Sequence, residues 1–467
     1  MILCHDIRAN TSDNIGRPDD NMPFMERDTN KVIARITRNI KSHLTNSKSK
    51  TDYDILVSGG APGIGKTRYG ELFKHLENNQ DWVPSEWKNN HIEGLYIDFS
   101  DDCQLDSYDD EPTQTVIIGL RIAFVFYIKG KYQMKFETFR RLIGKYSVIF
   151  TISDVFESIY NHLGLKSDNQ HLFVFLHIDE FQLIDEWESN AVMKRKMEEK
   201  WLFKKMINGL ASYMYGPSHI FVQPFLSGTA PQFVNSTKES SKVSFGFVNC
   251  PQLSLKAMIE IANHYAQKFD AEKFDRGEYR WMLCQPFLQF LDDTGGMPRA
   301  LQYVFYECLE TGCDGKKFFK TIDQRNFDNI FHDVKAHLQE RYNIHEFIQN
   351  NKKLALELLY HSIDGIPVSV EEYLDESKPE YMIKNLERDA HIILNPCNTE
   401  DLNNEHKKNI LGSTSAPRKL RNILSKYQHI TIAFMIQPFN GQISKPDCLV
   451  IMKEYFGPIF ASCARFT

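Results

Sequence analysis

The chain has 467 residues, enough for two or three domains, and 42% of them are hydrophobic, an ordinary share for a globular protein. Its formal net charge of −6 speaks against a body built to grip nucleic acid through the phosphate backbone, and leaves open only a local basic groove. The longest apolar stretch, residues 116–128, has the length of one core helix and carries Arg121, so no membrane span is expected.

Residues 1–29 are rich in Asp, Asn and Pro and lack a long apolar run, which predicts an irregular or disordered segment and no cleaved secretory signal. From 30 to 47 a basic amphipathic helix follows, with Val32, Ile33, Ile36, Ile40 and Leu44 on one face. It is expected either to lie against a nucleotide base or simply to pack.

Tyr53 to Thr67 reads YDILVSGGAPGIGKT, an apolar strand emptying into a glycine-rich turn. Gly60-Ala61-Pro62-Gly63-Ile64-Gly65-Lys66-Thr67 fills every position of the GxxxxGK[ST] phosphate loop, and Arg68 follows in the helix expected over 68–76. Glycines let backbone N–H groups turn inward around a β-phosphate. Lys66 can reach β/γ oxygens, and the Thr67 hydroxyl can ligate Mg²⁺ at a helix N-terminus.

A second strand is predicted over 93–99, and residues 101–111 (DDCQLDSYDDE) read as a solvated, mobile acidic loop. Helices over 115–128 and 153–163 would cover the sheet, with an extra hairpin or helix pair inserted before the next strand. That strand, HLFVFLHIDEFQ, ends in Asp179 and Glu180. Asp179 stands where a magnesium carboxylate belongs, and Glu180 is the natural general base. His177 reads as a core histidine bonded to a neighbour, and Gln182 follows the acids onto the rim. The phosphate-loop and acid strands are expected to be adjacent.

After a charged helix over 194–214, a strand over 219–226 ends in Ser227-Gly228-Thr229-Ala230-Pro231. Ser227 and Thr229 are candidate contacts for a γ-phosphate or its attacking water, although both types are common at strand ends. Helices over 253–269, 278–291 and 298–309 form a helical lid. Its Gly295-Gly296-Met297-Pro298-Arg299 turn places Arg299 near a helix start, where it could swing onto a γ-phosphate. Helices over 327–342 and 344–361, followed by short apolar runs at 368–370 and 391–394, look like a winged-helix module, acidic enough to favour packing over DNA binding. Nine cysteines with no CxxC pair point to free thiols in a reducing compartment, cytoplasm or nucleus.

The ordered motifs GxxxxGKT, hhhhDE, hhhSGT and GGMPRAL resemble the AAA and STAND-like branch of phosphate-loop ATPases, with Met297 where Asn is usual. MPFMERDT, GLYIDFSDD, GLRIAFVFY, LHIDEFQL, FLSGTAP, TGGMPRALQYV and GIPVSVEEYLDE…NLERDAHIILNP are similar to the ATPase region of Crinkler-type effectors and the segment after it. The resemblance covers roughly residues 22–400. It implies a three-layer αβα core with a parallel sheet over 30–250, a helical lid over 251–343, a winged-helix-like module over 344–400 and a segment of unknown role over 401–467. It also implies phosphate binding at Gly60, Gly63, Gly65, Lys66 and Thr67, magnesium and water handling at Asp179 and Glu180, and γ-phosphate sensing at Arg299.

Two features of that family are not recognisable here. The leader that marks its members for secretion into a host cell is one. The other is the nuclease domain, faintly echoed by Lys445-Pro446-Asp447 with Lys453. The expected activity is Mg²⁺-dependent ATP binding and hydrolysis driving a conformational switch; ATP is favoured over GTP because no NKxD element follows a strand. The alternatives are a nucleotide-holding interaction module with negligible turnover, and a nucleic-acid-directed effector. Self-association and an unidentified protein partner are left open.

Overall fold

The computed structural model describes residues 22–23, 25, 29–60, 62–70, 72–78, 81–83, 85, 90–109, 114–165, 170–190, 201–215, 218–229, 243–248, 250, 252–270, 279–309, 318–363, 368–369, 382–388, 392–396 and 427–431. The chain divides between Leu253 and Ser254 into two compact units. Among the described residues no helix is long and apolar enough to cross a membrane.

The first unit is organised by one sheet of five strands, β1 (Asp54–Gly59), β2 (Asn90–Asp98), β3 (His171–Asp179), β4 (Ile220–Gly228) and β5 (Ser244–Phe247). All neighbours are parallel, in the order β2-β3-β4-β1-β5. β3 and β4 are buried along nearly their whole length. A parallel strand covered on both faces has to be mostly apolar, which explains their Phe, Leu, Val and Ile content; the polar residues they bury, His177 and Gln223 among them, are hydrogen-bonded. This is the α/β phosphate-loop NTPase core expected from the sequence. Two details differ. β4 lies between the phosphate-loop strand and the acid strand, so those two are not adjacent. β5 was not foreseen, since four residues reading SFGF carry too short a pattern to register.

Helix α1 (Asn30–Leu44) buries Val32, Ile36 and Ile40. Polar residues on the same face fix its place. Asn39 Nδ2 donates to Asp54 O at 2.9 Å and to Gln223 Oε1 at 2.8 Å, and Arg35 donates to Phe247 O at 2.7 Å. The helix is thereby pinned to β1, β4 and β5. The single helix expected over 68–76 is instead two pieces, α2 (Lys66–Tyr69) and α3 (Leu72–Asn78), parted at Gly70.

Between β2 and β3 run α4 (Gln114–Ala123), continued by a π turn over Phe124–Ile128, then α5 (Phe136–Ile143), a 3₁₀ stretch (Gly144–Ile149) and α6 (Ile152–His162). Here the acidic loop departs from expectation: its described part is anchored, not freely solvated. Asp109 is buried and ion-paired to Arg121 Nη2 at 2.8 Å, and Asp106 receives Arg140 at 2.5 Å. Arg121 sits inside an apolar helix, and a buried guanidinium requires a carboxylate. α7 (Leu183–Asn190) and α8 (Trp201–Ala211) complete the unit.

The second unit contains α9 (Leu255–Asp270), α10 (Gln285–Asp293), α11 (Pro298–Leu309) and α12 (Phe327–Tyr342). Trp281, Phe287, Phe290, Phe318 and Phe319 form its aromatic core. After α13 (Ile344–Asn350) and α14 (Lys352–Ile363) come β6 (Val368–Ser369), α15 (Ile383–Arg388), β7 (Ile393–Pro396) and β8 (Tyr427–Thr431). The three strands form an antiparallel sheet in the order β6-β8-β7. Its central strand comes from beyond residue 400, so the small module does not end there as expected. The Lys445–Lys453 echo lies outside the described residues.

Candidate nucleotide site

The turn after β1 takes its shape from three glycines in the left-handed half of backbone space, Gly60 at φ 130°, Gly63 at 84° and Gly65 at 88°. A side chain at any of them would strain the loop. The turn delivers Lys66 and Thr67 to the first positions of α2, where backbone N–H groups have no intrahelical acceptor and suit an anion. Lys66 is buried, and its Nζ donates to Gly60 O at 2.7 Å, so the ammonium lies across the mouth of its own loop. Thr67 is exposed. Ile64 is buried and its carbonyl accepts from the Cys250 thiol at 3.4 Å. Arg68 donates to Met22 O, tying the lead-in segment to the phosphate helix. Pro62 is half-buried; Ala61, Ala230 and Pro231 lie outside the described residues.

The strand register then aligns the remaining groups. Gly59 faces Gly228, Ser58 faces Ser227, Ser227 faces Asp179, and Asp179 faces Asp98. Partners in a parallel register share a sheet face, so Asp98, Asp179, Ser227 and Ser58 make one polar row along the edge from which the phosphate loop springs. Asp179 is 2% exposed. Its Oδ1 accepts from the Ser227 hydroxyl and from Glu180 N at 3.1 Å, and its Oδ2 accepts from Tyr96 OH at 3.1 Å. Burial, reinforced by the charges of Asp179 and Asp98, pushes the Tyr96 phenol far above its ordinary range, so it stays a donor.

Glu180 leaves the strand at φ 53°, outside the region that non-glycine residues favour. Burial raises its carboxyl above the usual glutamate value; the Gln182 amide and the Lys66 ammonium oppose the shift, and Asp179 and Asp98 add to it. Lys66 and Glu180 therefore sense each other across the site. Gln182 donates from Nε2 to Glu180 Oε2 and accepts at Oε1 from Thr229 N at 3.3 Å. His177 is buried, with Nε2 at 2.6 Å from Ser227 Oγ. Burial lowers its pKa to about 4 despite the nearby carboxylates, so the ring is neutral at ordinary pH.

The structure thus brings Gly60, Gly63, Gly65, Lys66, Thr67, Asp179, Glu180, Ser227 and Thr229 to one edge of one sheet. Ser227 turns its hydroxyl to Asp179, and Thr229 meets Gln182 through its backbone. Arg299 opens α11 of the second unit, near Tyr342, whose phenol burial raises to about 12 against the opposing charge of Arg299. Sequence reasoning missed Asp98 and Tyr96. The signal was present, because Tyr96-Ile97-Asp98 and His177-Ile178-Asp179 end two neighbouring strands with the same Ile-Asp step.

Hard oxygen donors suit Mg²⁺. The Thr67 hydroxyl and the Asp179 carboxylate are of that kind, and Asp179 accepts three hydrogen bonds against the roughly four lone-pair positions of a carboxylate. The residues present fit the ion.

No family model matches the chain, and no curated protein does. Similar solved structures include the Aeropyrum pernix ORC1 protein in complex with DNA, at 11% identity and a TM-score of 0.35 over 93% of this chain and 96% of that one. The A. pernix ORC2 protein in ADPNP-ADP complexes shares 13% identity, with a TM-score of 0.39 over 81% of this chain and 90% of that one. Cdc6p from Pyrobaculum aerophilum shares 12%, with a TM-score of 0.34 over 91% and 97%. The strand order and the loop geometry carry the fold assignment; the Crinkler resemblance finds no support among these comparisons.

Proposed function

We propose that the chain is a Mg²⁺-dependent ATPase in which hydrolysis drives a conformational switch. The observation that carries this reading is the shared sheet edge. The glycine loop with Lys66 and the Asp179-Glu180 pair stand there together, close enough for the Lys66 charge to act on the Glu180 carboxyl.

The loop amides of Gly60–Thr67 and the Lys66 ammonium bind and orient the polyphosphate; to do so Lys66 exchanges its Gly60 carbonyl for phosphate oxygens. The Thr67 hydroxyl and Asp179 would hold Mg²⁺, which when bound supplies positive charge to the β/γ oxygens. Glu180 accepts a proton from water as that water attacks the γ-phosphorus, the bond to the bridging oxygen breaks, and ADP leaves with the electron pair. The raised Glu180 carboxyl is a stronger base than an exposed glutamate. Thr229, at the end of β4, is the candidate contact for the γ-phosphate or water. Arg299 is proposed to report nucleotide state, and a Crinkler-like effector role rests on the sequence resemblance.

Phosphate release from ATP tests the reading. Wild type is expected to turn over with Mg²⁺ and to stop in EDTA, and Lys66→Ala to lose ATP binding. Glu180→Gln is expected to keep binding while turnover falls by about 10²–10⁴-fold. If Glu180→Gln releases phosphate as fast as wild type, the base assignment fails. If wild type binds ATP without releasing phosphate, the chain is a nucleotide-holding interaction module instead.

A further inference from the structure

His177 belongs to none of the nucleotide-site motifs, yet its ring touches three elements that carry them. It lies on β3 two residues before Asp179, and its Nε2 sits 2.6 Å from the Ser227 hydroxyl on β4. That hydroxyl donates to Asp179 Oδ1. A carboxylate only accepts, so the one Ser227 proton is committed to Asp179, and Nε2 must be the donor to Ser227 Oγ. Nε2 therefore carries a proton, and Nδ1 lies on the other side of the ring. Nδ1 is turned to the phosphate helix: a Cβ added at Gly70, just past α2, would lie 2.0 Å from it and 2.2 Å from Cε1. Tyr96 and Phe225 flank the imidazole at centroid distances of 4.9 and 5.0 Å and limit its rotation.

The imidazole is therefore a wedge between the helix that carries Thr67 and the strand that carries Asp179, and through Ser227 it also aims the Asp179 carboxylate. We propose that His177 is a positioning residue for the metal: it holds the two oxygen donors, Thr67 and Asp179, in the spacing and orientation that a divalent ion requires. The proposal rests on the ATPase reading in assigning those two residues to the metal. It separates two affinities that the motifs alone would join, because His177 should govern metal binding and leave the nucleotide's own contacts with the loop untouched.

The test uses the full chain and two titrations. ADP affinity is measured in EDTA, and Mn²⁺ affinity is measured by electron paramagnetic resonance at saturating ADP, which needs no turnover. Loss of an outer-shell hydrogen bond commonly costs 10–100-fold in metal affinity, so His177→Asn is expected to weaken Mn²⁺ by about 10-fold or more. ADP affinity in EDTA should stay within about two-fold, since distant groups act independently. His177→Gln places an amide N–H near the Nε2 position and should restore most of the Mn²⁺ affinity; a merely space-filling role would not separate Gln from Asn. Ser227→Ala should match His177→Asn, and the double variant should be no worse than either, because both act through one chain of hydrogen bonds. Gly70→Ala pushes on the ring from the other side and should lose Mn²⁺ in the same way; if it does not fold, the Asn and Gln pair decides. Wild-type Mn²⁺ affinity in His177→Asn overturns the proposal, as does a parallel loss of ADP affinity. A wild-type protein that binds no ADP in EDTA fails the nucleotide reading first and takes the proposal with it. One that binds ADP and Mn²⁺ with both His177 variants unchanged sinks the proposal alone.

Discussion

The Gln182 amide spans two strand ends, donating to Glu180 Oε2 and accepting from Thr229 N at 3.3 Å. It holds the candidate base against the tip of β4. Gln182→Leu keeps the bulk and removes both bonds; single-turnover hydrolysis is expected to fall about ten-fold, the price of a misaimed general base, with ATP affinity unchanged. A rate equal to wild type would show that Glu180 needs no such support. The sequence places Gln182 on the rim, after the acids, whereas the structure buries it. Its bond to Thr229 was not legible, since the partner stands 47 residues further on. The same holds for His177, which could be read as a bonded core histidine while Ser227 could not be named as its partner.

At the scale of elements, the connection from β2 to β3 is held by Arg121, which is fully buried and bidentate to Asp109, with Nη1 to Oδ1 at 3.1 Å and Nη2 to Oδ2 at 2.8 Å. It also donates to the carbonyls of Cys103, Gln104 and Ile117. Arg121→Met would leave the buried Asp109 carboxylate with Arg140 Nη1, at 3.3 Å, as its remaining counter-charge, at an expected cost of up to about 3–5 kcal/mol in denaturant unfolding. Adding Asp109→Leu should recover part of that loss, since an apolar pair of similar volume needs no counter-charge. Equal stability of Arg121→Met and wild type would mean that the loop, not the ion pair, sets the local structure. Helices with strong periodicity were fully readable: α11 and α12 occupy the very residues their patterns mark. The anchored acidic loop was not, because a run of Asp says nothing about which arginine will fold over it.

Across the whole first unit, the sheet carries acids at one edge and histidines at the other. His171 opens β3 and His219 precedes β4, their rings 5.6 Å apart, while His43 of α1 lies nearby with Nδ1 2.8 Å from the Met214 carbonyl oxygen and Nε2 3.0 Å from that of Ser218. Burial lowers the His171 pKa below 6.5, and the neighbouring His219 and His43 lower it further. The folded state therefore prefers the neutral ring. Its contribution is complete above the ordinary value and is lost as pH falls below it. The melting temperature is expected to fall as pH drops below the ordinary histidine value, and His171→Gln should flatten part of that slope, the rest belonging to the buried His177; an unaltered slope would assign the acid sensitivity elsewhere. The existence of β1 to β4 was legible here, but β5 and the strand order were not. An apolar run declares burial on two faces without declaring its neighbours, and so the insertion of β4 between β1 and β3 appears only in three dimensions.

Glu180 alone among the site's acids is reached through a left-handed backbone step, φ 53°. A residue without a Cβ, or an asparagine, would occupy that step more comfortably, by about 1 kcal/mol. Glu180→Asn should thus melt no lower than the natural protein in the absence of ligand, even as it forfeits the carboxylate's reach toward water. Thermal endurance and turnover pull against each other at this one torsion, and a selection for heat resistance alone would be expected to discard the acid first.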